Sequence, residues 1–193
     1  MKTFDKIAEE FDKTRIYSWS ETIKFIKSMK KNSKVLDLGC GNGRDINTLL
    51  KYKHKPIGLD SSKKLLNIAK KRYPQVKFIH ADMTKIPLKN NSLDYVLCIA
   101  AFHHLKTKKA RISCLKEIKR ILKPNGKLFL TVWTLKGKKG PNYITWQNKI
   151  KRYYYFFTEK ELKDLFKETN LKIIKLQKNK NYYITAKPIQ KIY

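Results

Sequence analysis

Three glycines at alternate positions, Gly39, Gly41 and Gly43, close the stretch Val35-Leu36-Asp37-Leu38-Gly39-Cys40-Gly41-Asn42-Gly43, whose apolar part carries an acid. A backbone without Cβ atoms can approach a ligand to contact distance. Two more acids, Asp60 and Asp82, each follow a short apolar run. Carboxylates at strand ends can accept from ribose hydroxyls or from an adenine amino group, although a lone Asp is more often a turn or helix cap. The only acid–base candidates of the ordinary kind are His103 and His104, which read equally well as packed imidazoles. Adjacent histidines without further ligands do not make a metal site, and none is expected. Arg15 suits two-point capture of a carboxylate or phosphate, or is a plain surface arginine. Arg152-Tyr153-Tyr154-Tyr155 interleaves a cation with aromatics, as stacking on unpaired bases requires; alternate members of a buried strand would read the same way.

The elements that must position these residues alternate in type. Apolar β-branched runs predict strands over 35–38, 56–59, 76–79, 93–100 and 127–133. Between them, helical spacing predicts helices over 44–52, 63–72 and 107–122, the last stopped by Pro124-Asn125-Gly126. This order predicts an α/β fold with a doubly wound, mostly parallel sheet. The tail differs. A short strand over 153–157 precedes a helix over 158–169, capped by Thr158 with Glu161 three residues on. An antiparallel hairpin then closes the chain over 171–177 and 181–187.

Asp37 with the GxGxG spacing resembles motif I of the class I S-adenosylmethionine (SAM) methyltransferases. The dinucleotide fingerprint would need its third glycine one residue later, which leans against NAD. The resemblance implies a seven-stranded sheet ending in an antiparallel hairpin. It implies SAM as cofactor, with Gly39, Cys40, Gly41 and Gly43 against the methionine and ribose, and Asp37 ordering that loop or meeting the amino group. Asp60 with Ser61 would take the ribose, Asp82 with Met83 the adenine. Cys98 and Ile99 would line the methyl-donor side.

The flanks are more specific. Ala8 to Trp19 is similar to the A-x-x-F-x-x-T-R-x-x-x-W opening of the tRNA wobble-uridine carboxymethyl methyltransferases. Leu97 to Leu105, with its His-His pair, and Val132-Trp133 resemble the ends of that family's fourth and fifth strands. Arg152 to Phe157 followed by Glu161-Leu162 resembles its R-Y-Y-H-V-F-x-x-G-E-L segment, with Tyr155 where the family has His and Lys160 where it has Gly. The resemblance implies methyl-ester formation on 5-carboxymethyluridine of tRNA and a small zinc-binding activator protein as partner. It implies Arg15, His103 and His104 at the reaction centre. Arg15, Trp19, His104, Trp133, Arg152, Tyr153, Tyr154 and Tyr155 would hold substrate.

Composition bounds the rest. The 193 residues fit one domain, expected as a helical cap over 1–33, a cofactor-binding core over 34–134 and a substrate-side segment with closing strands over 135–193. Hydrophobic residues make up 41%, enough for a core. Lys and Arg number 45 against 15 Asp and Glu, a net charge of +30. Such an excess reads as a polyanionic partner, most simply nucleic acid, with compositional bias as the bland alternative. Cys40, Cys98 and Cys114 are too few and scattered for a disulfide framework or a zinc cluster, and Cys40 and Cys98 read as buried thiols of a cytoplasmic protein. The start carries no signal-peptide pattern and no run reaches a membrane span, so no membrane partner is expected. Two other classes stay open: a small-molecule SAM methyltransferase, and a noncatalytic RNA-binding protein on the same fold.

Overall fold

The computed structural model describes residues 2–146 and 150–190. Three short helices open the chain: α1 (Lys2–Lys6), α2 (Ala8–Thr14) and α3 (Ser20–Lys27). Strand β1 (Lys34–Leu38) then enters the glycine loop and α4 (Arg44–Lys51). The alternation continues through β2 (Lys55–Asp60), α5 (Lys63–Arg72), β3 (Lys77–His80), β4 (Leu93–Ile99), a 3-10 turn at Phe102–His104, α6 (Lys108–Ile121) and β5 (Leu122–Trp133). Beyond it lie β6 (Gly140–Trp146), β7 (Ile150–Phe156), α7 (Glu159–Glu168), β8 (Leu171–Lys178) and β9 (Asn181–Pro188).

Seven strands form one sheet in the order β3-β2-β1-β4-β5-β9-β8. Strands β1 to β5 pair in parallel; β9 pairs antiparallel with β5 and with β8. This is the doubly wound sheet with its closing hairpin that the alternation of elements predicts. The order reverses between β1 and β4, which opens a crevice beyond their carboxyl ends, where open α/β sheets bind ligands. Both central strands are buried on two faces, hence their near-continuous apolar sequence.

The tail departs from expectation. The strand over 153–157 begins earlier, at Ile150, and belongs to a separate two-stranded sheet with β6. That hairpin lies beside the 3-10 turn that carries His103 and His104. Thr158 caps α7 in a full capping box with Glu161, as the sequence indicates.

Candidate functional site

A cavity of about 340 Å³ opens at the crevice. Its first wall is the glycine loop. Gly39, Gly41 and Gly43 all take positive φ, at 77°, 54° and 79°. A Cβ on Gly39 would stand 2.4 Å from that of Ala101, so only glycine lets the loop close there. The Gly39 and Cys40 amides donate to the Leu59 carbonyl, tying the loop to β2.

Acids gather at this end. Asp60 accepts the Gly41 amide and the Ser62 amide, both at 2.8 Å, one on each carboxylate oxygen. Each oxygen keeps a second acceptor direction. Burial nevertheless raises the Asp60 pKa against those bonds. Asp82 accepts from the amide and hydroxyl of Thr84 in a local turn. Asp37, only 2% exposed, leaves Oδ2 without a partner, and buried Asp45 leaves Oδ1 without one. Burial first, then the charge of Asp45, raises the Asp37 pKa well above the ordinary carboxylate range; Arg44 opposes this. A cationic group reaching these orphan oxygens would relieve both.

Cations and aromatics form the other end. Tyr154, 1% exposed, packs against His103, His104 and Trp133 at centroid distances of 5.1, 4.7 and 5.2 Å. Arg152 lies over the Trp146 and Tyr154 rings with its Nε unpartnered. Arg15 rests on Phe11 and, among the described residues, its side chain donates only to the Thr14 carbonyl. Among the described residues neither arginine has a carboxylate partner, although both line the cavity. Burial lowers the pKa of each, with Arg44 acting on Arg15 and Arg15 on Arg152.

The two histidines are neutral and differ in tautomer. His104 Nδ1 donates to the Tyr153 carbonyl at 2.7 Å, which leaves Nε2 as an acceptor. His103 Nδ1 accepts the Trp133 amide at 3.3 Å, which puts the proton on Nε2, a buried donor without a partner. Burial lowers the His104 pKa to about 4 and that of His103 well below its ordinary value.

The comparisons with known proteins agree on what such a crevice is. The profile of a methyltransferase domain family matches residues 36–130. The tRNA (carboxymethyluridine(34)-5-O)-methyltransferase of Schizosaccharomyces pombe is 33% identical over 167 residues, covering 80% of this chain and 69% of that protein. The chain belongs to the SAM-dependent methyltransferases. It is homologous to the tRNA carboxymethyluridine methyltransferases within them. The tRNA (carboxymethyluridine(34)-5-O)-methyltransferase ALKBH8 of Macaca fascicularis is 32% identical over 134 residues, and the chain spans only 20% of its length. The complex between the Haloferax volcanii Trm112 methyltransferase activator and a methyltransferase shares the fold, with a TM-score of 0.78 at 18% identity, covering 100% of this chain and 99% of that one.

The methyltransferase's residues fit SAM. The glycine cradle excludes Cβ atoms, Asp60 and Asp82 offer acceptors at consecutive strand ends, and the orphan oxygens of Asp37 and Asp45 suit an ammonium group. Of the residues that the sequence suggests, Arg15, Trp19, Gly39, Cys40, Gly41, Asp60, Ser61, Asp82, Met83, Ile99, His103, His104, Trp133, Arg152 and Tyr154 line the cavity together. Asp37 lies buried beneath the loop, and Gly43 turns away to start α4, against Tyr73 and Ala69.

Three others do not reach the cavity. Cys98 points into the core on the opposite face of β4 from Ile99, where burial pushes its thiol up to about 12. Tyr153 and Tyr155 flank Tyr154 on β7 and so face the other way. Tyr153 donates to the Lys106 carbonyl; Tyr155 donates to Glu161 and lies 3.8 Å from the Arg111 guanidinium carbon. Phe4, Phe11, Arg44 and Asp45 are lining residues that the sequence reading misses. An acid and a base in the first turn after the glycine loop were visible in the sequence. Phe4 and Phe11 reach the cavity only through packing of α1 and α2 on α5.

Proposed function

We propose that this methyltransferase forms the methyl ester of 5-carboxymethyluridine in the anticodon loop of tRNA. The observation that carries the reading is the pair of acid-free arginines, Arg15 and Arg152, at the aromatic end of the cavity. Arg152 is buried and Arg15 half-buried, and cations so placed without carboxylate partners are costly unless an anion completes them. A carboxylate substrate does so, and its fork matches guanidinium geometry. The homologues named for carboxymethyluridine support the same substrate class.

Bound SAM supplies an electrophilic methyl group on its sulfonium. The chain's residues then have three tasks: to hold the carboxylate in line, to strip its water and to keep it ionised. A free carboxylic acid with a pKa of about 4 is already ionised at neutral pH, and two cations hold it so. No general base is needed. His104, neutral with its proton on Nδ1, is too weak a base to serve a hydroxyl or amine. His103 lines the substrate end of the cavity with its proton on a buried Nε2. The two departures from the family pattern lie away from this chemistry. Tyr155 faces Arg111, and Lys160 pairs with Asp164 on the surface of α7.

The basic surface supports RNA as the carrier of the uridine. A small activator protein is the expected partner, in line with the Haloferax volcanii complex. The decisive experiment incubates the protein, with a zinc-binding activator co-expressed where solubility demands it, with SAM and a stem-loop RNA bearing carboxymethyluridine. Nucleoside mass spectrometry should find the methyl ester. Methylation of a ring nitrogen or a ribose hydroxyl instead, or of free carboxylic acids regardless of RNA, overturns the reading.

A further inference from the structure

Residues 16 and 17 form an exposed apolar pair whose position no packing explains. Tyr17 is 84% exposed and Ile16 59%. The chain on either side of them is pinned. The Arg15 carbonyl accepts from the Asn42 amide at 2.9 Å, and the hydroxyls of Ser18 and Thr48 share a hydrogen bond of 2.7 Å. Tyr17 is therefore held out at a fixed place, beside a second depression of about 390 Å³ lined by Arg15, Ile16, Tyr17, Trp19, Arg44 and Trp133. Arg15, Trp19, Arg44 and Trp133 also line the main cavity, so the two adjoin along these four side chains. Arg44 stacks over Trp19 with 5.2 Å between its guanidinium carbon and the ring centre.

Resting on the reading of an RNA loop as substrate, we propose that this depression takes the unpaired nucleobase next to the carboxymethyluridine, stacked on Tyr17. An exposed ring beside an arginine without a carboxylate partner matches a flat base joined to phosphates: Tyr17 supplies a stacking face and Arg15 supplies charge, while Arg44 is paired with Asp45 at 3.0 Å. The depression is roomy enough for one base and is too small for a duplex. The shared wall sets the spacing, since one nucleotide in the main cavity places its neighbour beside these side chains at the rim.

The test is a cycle of binding measurements on a stem-loop RNA carrying carboxymethyluridine, intact or with an abasic site on one side of it or the other. Removing one of the two neighbouring bases should weaken binding by the wild-type protein on the order of tenfold. Tyr17→Ala should weaken binding of intact RNA by a similar factor, and the two changes together should show no further loss. Tyr17→Phe should bind like the wild type, and SAM affinity should be equal in all three proteins. Undiminished binding by Tyr17→Ala, or a loss that adds to that of both abasic sites, overturns the proposal. So does a defect confined to retention of a protein partner. Ester formation by the wild type, read separately, tells this failure from failure of the substrate reading: a wild type that forms the ester while Tyr17 proves indifferent overturns only the stacking site, and one that neither binds nor methylates the stem-loop overturns both.

Discussion

Arg15 and its neighbours turn a cofactor crevice into a substrate site, and their chemistry is testable one side chain at a time. If Arg15 grips a carboxylate by two points, Arg15→Lys is not conservative, because an ammonium cannot reproduce the fork. Turnover on carboxymethyluridine RNA should fall by about 2–4 kcal/mol of transition-state stabilisation, while SAM affinity measured by calorimetry stays put. Equal loss in both would move Arg15 to the cofactor end. His104 supports a second expectation, about pH. Its folded pKa, about 4, lies below its ordinary value, so its neutral form is the one that the fold accepts. The stabilisation is complete above the unfolded pKa, near 6.5, and is lost as pH falls from there towards 4, because the unfolded chain then binds the proton and the folded one does not. Between pH 7 and pH 5 the wild type should lose about 2 kcal/mol from this residue. His104→Asn, whose amide can still donate to the Tyr153 carbonyl, should shrink the difference between urea midpoints at the two pH values; an unchanged difference would place the loss elsewhere, His103 first.

Elements set which residues can meet, and the glycine loop between β1 and α4 is the sharpest case. Gly39→Ala meets the Ala101 Cβ at 2.4 Å and a φ of 77°, so it should cost about 2–4 kcal/mol in urea melts and abolish tight SAM binding. Gly137→Ala shares the sign of φ, at 74°, but has open space around it; it should cost about 1–2 kcal/mol and leave SAM binding alone. Similar cost at both sites would mean that backbone strain, not closure of the loop, is what glycine relieves. This loop was legible because local sequence dictates it: an apolar strand, positive-φ glycines and a helix follow each other within ten or so residues. The β6–β7 hairpin was not. The sequence reading assigns no element between 133 and 153, yet Gly140–Trp146 runs as a strand because the alternating side chains of β7 offer it a partner. The family resemblance brings the whole run 152–155 to the substrate, whereas the alternation of β7 admits Tyr154 and Arg152 and turns Tyr153 and Tyr155 out. Phe4 and Phe11 carry no local signal. Asp5 holds the Ser62 hydroxyl and the Lys64 amide, and Asp12 holds Arg72 and Asn42, so α1 and α2 reach the cavity by contacts some sixty and thirty residues away in sequence.

At the scale of the whole molecule the charge is the feature that the cavity does not use. Even with every one of the 15 acids paired, 30 of the 45 basic side chains would face solvent or a ligand without a partner. Self-repulsion of that size opposes the compact state, so a polyanion that neutralises it should bind tightly and steady the fold. Compositional bias predicts the same charge but no organised contact with phosphates. Salt separates the two. Each phosphate contacted releases condensed counterions, so the logarithm of the tRNA affinity should fall linearly with the logarithm of salt concentration. With about six contacts the loss between roughly 50 and 200 mM salt is on the order of a thousandfold. The slope should be the same for tRNA with and without the carboxymethyl group, since that group acts in the cavity and the phosphates act outside it. Arg15→Lys should leave the slope nearly unchanged while turnover falls, whereas Tyr17→Ala should lower affinity at every salt concentration in parallel. A tRNA affinity that is flat in salt would assign the positive charge to composition and return the cavity to a small carboxylic acid as its substrate.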